Sequence, residues 1–172
     1  WLAAGFALQS ASAQDAQNWV SRMSQAVEQL SYQGTFLHMH DGQVETLQIV
    51  HLNDNGRVSE RILALDGVAR EIIRYQDEVQ CILPDRQAVL LEERREISPL
   101  LSALPTYSEE LFRHYEFSLN EHARVVERQT QIVSIMPKDD FRYGYMLWLD
   151  LETAMPLKSQ LIDNQGNILE QL

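Results

Sequence analysis

The stretch Tyr32-Gln33-Gly34-Thr35-Phe36-Leu37-His38-Met39-His40-Asp41-Gly42-Gln43-Val44-Glu45-Thr46-Leu47-Gln48-Ile49-Val50-His51-Leu52 decides the fold. Asp41-Gly42 is a two-residue hairpin signal, because the favoured hairpin turn needs positive φ at its centre and these residues tolerate it. Residues 34–40 and 43–52 read as the two strands. The turn sets His40 opposite Gln43, Phe36 opposite Leu47 and Tyr32 opposite His51. Side chains alternate with period two. One face then carries Phe36, His38, His40, Glu45, Leu47 and Ile49, and the other Leu37, Met39, Val44 and Val50. A sheet with one dry and one wet face would alternate more cleanly. The pattern predicts partial cover on both faces, one by a helix and one by a ligand.

Upstream, residues 15–31 have helical periodicity. Ala16, Trp19, Val20, Met23, Ala26, Val27 and Leu30 fall on one stripe, with polar residues opposite. Asp15 is the expected N-cap. Downstream, residues 59–65, 70–75, 78–83 and 88–92 read as strands, with Asp66-Gly67 and Pro84-Asp85 between some of them. Residues 97–113 break the pattern. Ile97, Leu100, Leu101 and Leu104 keep helical spacing as far as Pro105, and residues 107–114 form a second short helix with Ser108 as cap. Strands resume at 115–120, 124–128, 130–136, 143–150, 157–162 and 168–172, with Asp163-Asn164-Gln165-Gly166 as a hairpin turn. Many antiparallel strands, one long N-terminal helix and a helical insert make an α+β domain.

The chain has 172 residues, 45% hydrophobic and 23% charged, enough for one domain with an ordinary core. Its net charge of -11 argues against nucleic acid, which needs a cationic face, and against electrostatic docking on an anionic membrane. Cys81 is the single cysteine, which excludes an internal disulfide and a cysteine-based zinc site. It is expected to be buried. The apolar run from Trp1 to Leu8, followed by Ala11-Ser12-Ala13, reads as the end of a secretory signal peptide, a remnant over residues 1–13, with the folded domain at 14–172.

No reaction chemistry emerges. His38 and His40 share a strand face, but a metal site needs a third ligand. His51 lies roughly 27 Å away at strand rise, and Glu45 alone makes a weak set. There is no Gly-x-Ser-x-Gly nucleophile and no glycine-rich phosphate loop. The expectation is a binding protein with no metal, no cofactor and no catalytic residue. Two readings of Arg142-Tyr143-Gly144-Tyr145-Met146-Leu147-Trp148-Leu149-Asp150 stand side by side: a central core strand, or one wall of an apolar groove. On the second reading Phe36, Leu47, Ile49, Met146 and Trp148 line the groove.

That same run resembles the hallmark stretch of the RseB/MucB family, together with Thr153, Met155-Pro156-Leu157-Lys158-Ser159, Asp163 and Gly166. Asp66-Gly67 with Arg70-Glu71-Ile72-Ile73-Arg74 is similar to the family's other recurrent block, and Tyr32-Gln33-Gly34-Thr35-Phe36 to its first strand. The Leu-Asp, Thr, Pro and Asp-x-x-Gly skeleton is shared with lipoprotein carriers of the LolA/LolB type. The resemblance implies a half-open antiparallel β-barrel wrapped around helices. It also implies a periplasmic negative regulator of sigma-E-type envelope-stress signalling. Such a protein binds the periplasmic part of a membrane-spanning anti-sigma factor, shields it from proteolysis, and senses lipid or lipopolysaccharide. It leaves a homo-oligomer open. The family carries a smaller C-terminal domain, which a sequence ending at Leu172 is expected to lack. The alternative is a periplasmic lipid or lipoprotein carrier on the same fold. The groove residues come from strand faces and not from the resemblance.

Overall fold

The structure, a computed structural model, describes residues 5–75, 78–84, 88–93, 104–105 and 107–172. In chain order the elements are α1 (Gly5–Gln29), β1 (Tyr32–His40), β2 (Gln43–Asp54), β3 (Arg57–Ala64), β4 (Glu71–Tyr75), β5 (Glu78–Leu83), β6 (Ala88–Glu93), α2 (Glu109–His114), β7 (Tyr115–Val125), β8 (Arg128–Pro137), β9 (Gly144–Asp150), β10 (Pro156–Ile162) and β11 (Ile168–Gln171). They fall into two compact units. The architecture is mostly antiparallel sheet with one long helix.

One unit holds β1 to β6 as an antiparallel meander, each strand pairing with the next in sequence. The β1–β2 register is the one that Asp41-Gly42 dictates, with Phe36 opposite Leu47 and Tyr32 opposite His51. Asp41 and Gly42 take φ of 50° and 73°, and Asn55 and Gly56 repeat the device at the β2–β3 turn with 53° and 87°. The core face buries Leu47, Ile49 and Ile62, against which Tyr32, Phe36, Ala64 and Ile72 pack. Period two sends Leu37 and Val44 to the other face, and both are exposed. Cys81 is half-buried, not buried, because its cross-strand neighbour Leu90 is itself exposed.

The other unit holds α1 up to Val27, α2 and β7 to β11, the strands again in a sequential antiparallel order. Here α1 buries Ala16, Val20, Met23, Ala26 and Val27. The core face of the sheet buries Phe117, Val133, Ile135, Leu147 and Leu149. The expected helix at 15–31 starts earlier. No Gly or Pro interrupts residues 6–14, and Ala and Gln favour helix. Asp15 therefore lies inside the helix and caps nothing. Trp19 stands at the edge of the stripe, half-buried, with the Arg22 guanidinium 4.2 Å from its ring. Leu30 lies past the helix end and is exposed. There the Asn53 side-chain amide donates to Glu28 O at 2.8 Å, satisfying one of the last carbonyls.

Ser108 caps α2 as expected, its hydroxyl accepting from Leu111 N at 3.2 Å. The strands expected at 115–120 and 124–128 are one strand, β7. A register irregularity between Leu119 and His122 absorbs the polar run that looked like a break. Its turn into β8 is Val126-Glu127, both at positive φ. The helical spacing read in Ile97, Leu100 and Leu101 lies outside the described residues.

Candidate functional site

Two of the three sequence blocks that carry the family resemblance turn out to be structural fasteners. Asp150 ends β9 with its carboxylate buried. Arg128 Nε and Nη2 donate to it at 2.7 and 2.9 Å, and Thr153 N and Oγ1 donate at 2.9 and 2.8 Å. Chiefly through the Arg128 hydrogen bonds, its carboxyl is held far below the usual carboxylate range, although burial pulls the other way. The β9–β10 connection is thereby locked, with Ala154 fully buried at φ 61° and its N–H on Asp150 O at 2.8 Å. The Asp163 carboxylate accepts from Gln165 N and Asn167 N at 2.9 and 2.8 Å, closing the turn in which Gly166 takes φ 86°. The other recurrent block ties the β3–β4 loop to β2. Thr46 N donates to Asp66 Oδ1 at 2.8 Å, and Arg70 grips Glu45 with two bonds of 2.8 and 2.6 Å. Gly144 is required by contact, since a Cβ there would lie 2.8 Å from Met136 Sδ and 3.3 Å from Ile135 O.

The metal candidate does not assemble a third ligand. The His38 and His40 rings stack at 6.1 Å, and His40 Nε2 sits 3.1 Å from Asp41 Oδ2. Glu45, the cross-strand partner of His38, is engaged by Arg70. Among the described residues no three His, Cys, Asp or Glu side chains form a metal-sized group. None of their helices is long and apolar enough to cross a membrane.

The five groove candidates divide between the units. Phe36, Leu47 and Ile49 belong to one cluster in the meander, where Leu47 and Ile49 are buried and Phe36 packs against them half-buried. Met146 and Trp148 lie together on β9 of the other unit, on the face opposite the buried Leu147 and Leu149. Trp148 is half-buried, opposite Lys158, whose ammonium stands 4.4 Å from its ring. Their neighbours on that face are mostly polar. Ser134 lies opposite Met146 and accepts from Asn120 at 2.7 Å, and Gln160 donates to Gln171 at 2.7 Å.

One polar cluster went unread in the sequence. His51 on β2 and Glu60 on β3 are buried opposite each other, His51 Nδ1 lying 3.0 Å from Glu60 Oε2. Tyr32 stacks on the imidazole at 4.7 Å with ring planes 6° apart. Burial first, and then the Glu60 charge, pushes the Tyr32 phenol up, so it stays protonated. Asn55-Gly56 carried the signal: a two-residue turn at these positions places residue 51 across from residue 60.

These fasteners hold two antiparallel sheet units. Similarity to known proteins gives the class. A family model described as the MucB/RseB N-terminal domain matches residues 15–172. The sigma factor AlgU regulatory protein MucB of Pseudomonas aeruginosa is 34% identical over 166 residues, covering 96% of this chain and 51% of that protein. The sigma-E factor regulatory protein RseB of Escherichia coli K12 is 27% identical over 152 residues, covering 88% of this chain and 48% of that protein. Among solved structures, MucB in complex with MucA(peri) aligns with a TM-score of 0.72 at 34% identity, covering 91% of this chain and 53% of that one. MucB alone aligns with a TM-score of 0.73 at 30% identity, over 92% of this chain and 56% of that one. The chain belongs to the MucB/RseB family. It spans about half the length of the curated relatives it matches.

Proposed function

We propose that this chain is the N-terminal domain of a periplasmic regulator that binds the periplasmic part of a membrane-spanning anti-sigma factor and so restrains an envelope-stress sigma factor. The observation that supports this most is the 34% identity to MucB crystallised in complex with MucA(peri). On this reading the protein acts by occupying its partner and shielding it from proteolysis, and it catalyses nothing. The regulator is favoured over a lipid or lipoprotein carrier because the matching relatives are named as sigma-factor regulators. The apolar start and Ala11-Ser12-Ala13 support export with removal of residues 1–13, leaving a domain from Gln14. The Leu-Asp, Thr and Pro skeleton shared with lipoprotein carriers supports a sheet curled into a half-open barrel. A second, smaller domain beyond Leu172 would account for the remaining length of the relatives. The test is a pull-down from envelope extract with the full-length protein. A membrane anti-sigma factor should be the recovered polypeptide, and recovery of lipoproteins in its place would favour the carrier.

Lipid sensing is the second part of the proposal. Phe36 over Leu47 and Ile49 in one unit, and Met146 with Trp148 in the other, would supply apolar contacts for acyl chains, with Lys158 beside Trp148 to meet an anionic headgroup. Each methylene buried contributes about 0.8 kcal/mol. Trp148 emission should therefore shift with lysolipids below their micelle concentration, and affinity should rise with chain length. An affinity independent of chain length would remove the lipid reading.

A further inference from the structure

The exposed face of the β1–β6 meander is not the polar surface that a solvated antiparallel face normally presents. Leu37 on β1 lies opposite Thr46 on β2. On the far side of Thr46, Leu65 continues the β3 pairing, its N–H on Thr46 O at 2.8 Å. These three side chains form one row across the strands, about 10 Å from Leu37 to Leu65 at the usual strand spacing. In the next row toward the hairpin turn, Met39 faces Val44. Leu37, Val44 and Leu65 are 58%, 59% and 50% exposed. Singly exposed apolar residues are ordinary, but two adjacent rows of them form a contiguous patch of the kind that marks an interaction surface.

The patch is held in place before anything binds. Thr46 N donates to Asp66 Oδ1 at 2.8 Å, which anchors the Leu65 loop. Asp41-Gly42 closes the hairpin on the other side. A surface already ordered loses little conformational entropy on binding. Its rim is acidic. Asp41 and Asp66 are both exposed beside the apolar rows, in a chain of net charge -11. That charge opposes an anionic lipid surface and favours a basic partner.

We propose that the Leu37/Met39/Val44/Leu65 face is the docking surface for an amphipathic polypeptide segment that carries basic residues beside its apolar ones. The proposal rests on the regulatory reading above, and the segment then belongs to the periplasmic part of the anti-sigma factor. The apolar rows supply the buried contact, and Asp41 and Asp66 orient the basic residues around it.

The test uses the full-length protein and, as probe, the purified periplasmic domain of the anti-sigma factor, with the dissociation constant measured at two salt concentrations. The triple variant Leu37→Gln, Val44→Gln, Leu65→Gln changes only exposed side chains and should keep the wild-type melting temperature. It should bind about tenfold more weakly or worse. Asp41→Asn should flatten the salt dependence, and Val126→Gln, on the β7–β8 turn of the other unit, should change nothing. A triple variant that binds like wild type overturns the proposal and leaves the regulatory reading intact. A wild-type protein that does not bind the probe overturns both. Vesicles of phosphatidylethanolamine and phosphatidylglycerol form the second arm. If the triple variant loses only vesicle binding, the face is lipid-directed and the proposal falls.

Discussion

His51 Nδ1 and Glu60 Oε2 stand 3.0 Å apart, with the two side chains only 3% and 1% exposed. They join β2 to β3 inside the meander, under the Tyr32 ring. Removing one member of a buried polar pair leaves the other desolvated and unpaired, whereas replacing both with apolar groups spares that penalty. His51→Leu alone should destabilise the protein by about 3 kcal/mol or more, and Glu60→Leu likewise. The double variant should lose clearly less than the sum, as urea unfolding in a double-mutant cycle would show. Strict additivity would mean that the pair is not coupled.

Asp150 gives the pH dependence. Its folded-state carboxyl is held below the unfolded value, chiefly by Arg128. The stabilisation is therefore fully present above about pH 4 and fades as pH falls from there through the depressed folded value. Asp150→Asn should cost about 2–3 kcal/mol at neutral pH, through the charge-assisted bonds from Arg128 and Thr153. Melting curves of wild type and variant should converge toward pH 2. An equal gap at pH 7 and pH 2 would contradict the assignment.

Gly144 tests the packing behind the β9 aromatic run. A methyl group there would press on Met136 Sδ, on Ile162 Cγ1 at 3.2 Å and on the Ile135 carbonyl. Gly144→Ala should cost about 1–3 kcal/mol as overpacking. Combining it with Met136→Ala should restore part of that loss, because the thioether is the nearest atom. No recovery would place the strain in the backbone contact instead.

The helix stripe makes a comparative prediction. Met23 is wholly buried and Trp19 lies at the stripe's edge under Arg22. Met23→Ala should cost about 2–5 kcal/mol. Trp19→Ala should cost less, although it removes the larger side chain. Calorimetric melting would show the order, and a reversed order would put Trp19 in the core.

Local rules were legible where turn chemistry is local. Asp41-Gly42 fixes the β1–β2 register because only certain residues accept positive φ in both turn positions, and Ser108 announces the start of α2 for an equally local reason. What depends on a third element was not legible. The helix start at Gly5 follows from an unbroken Ala- and Gln-rich run, which as sequence also fits the end of a signal peptide. The bulge in β7 hides behind polar residues that also suit a loop. That Trp148 shares a face with Ser134 and Gln160, while Leu147 and Leu149 take the core, needs the β8–β9–β10 register and not β9 alone. The fastening role of Asp150 was invisible for the same reason, since its partner Arg128 comes from a different strand.

Under the proposed function, the full-length protein binds the periplasmic domain of a membrane anti-sigma factor. Isothermal titration of the full-length protein with the purified periplasmic domain of that factor tests it most directly. A saturable one-to-one complex with a Kd of about 1 μM or tighter is expected, equivalent to roughly 8 kcal/mol. No heat of binding at protein concentrations of about 50 μM, well above that Kd, would contradict it.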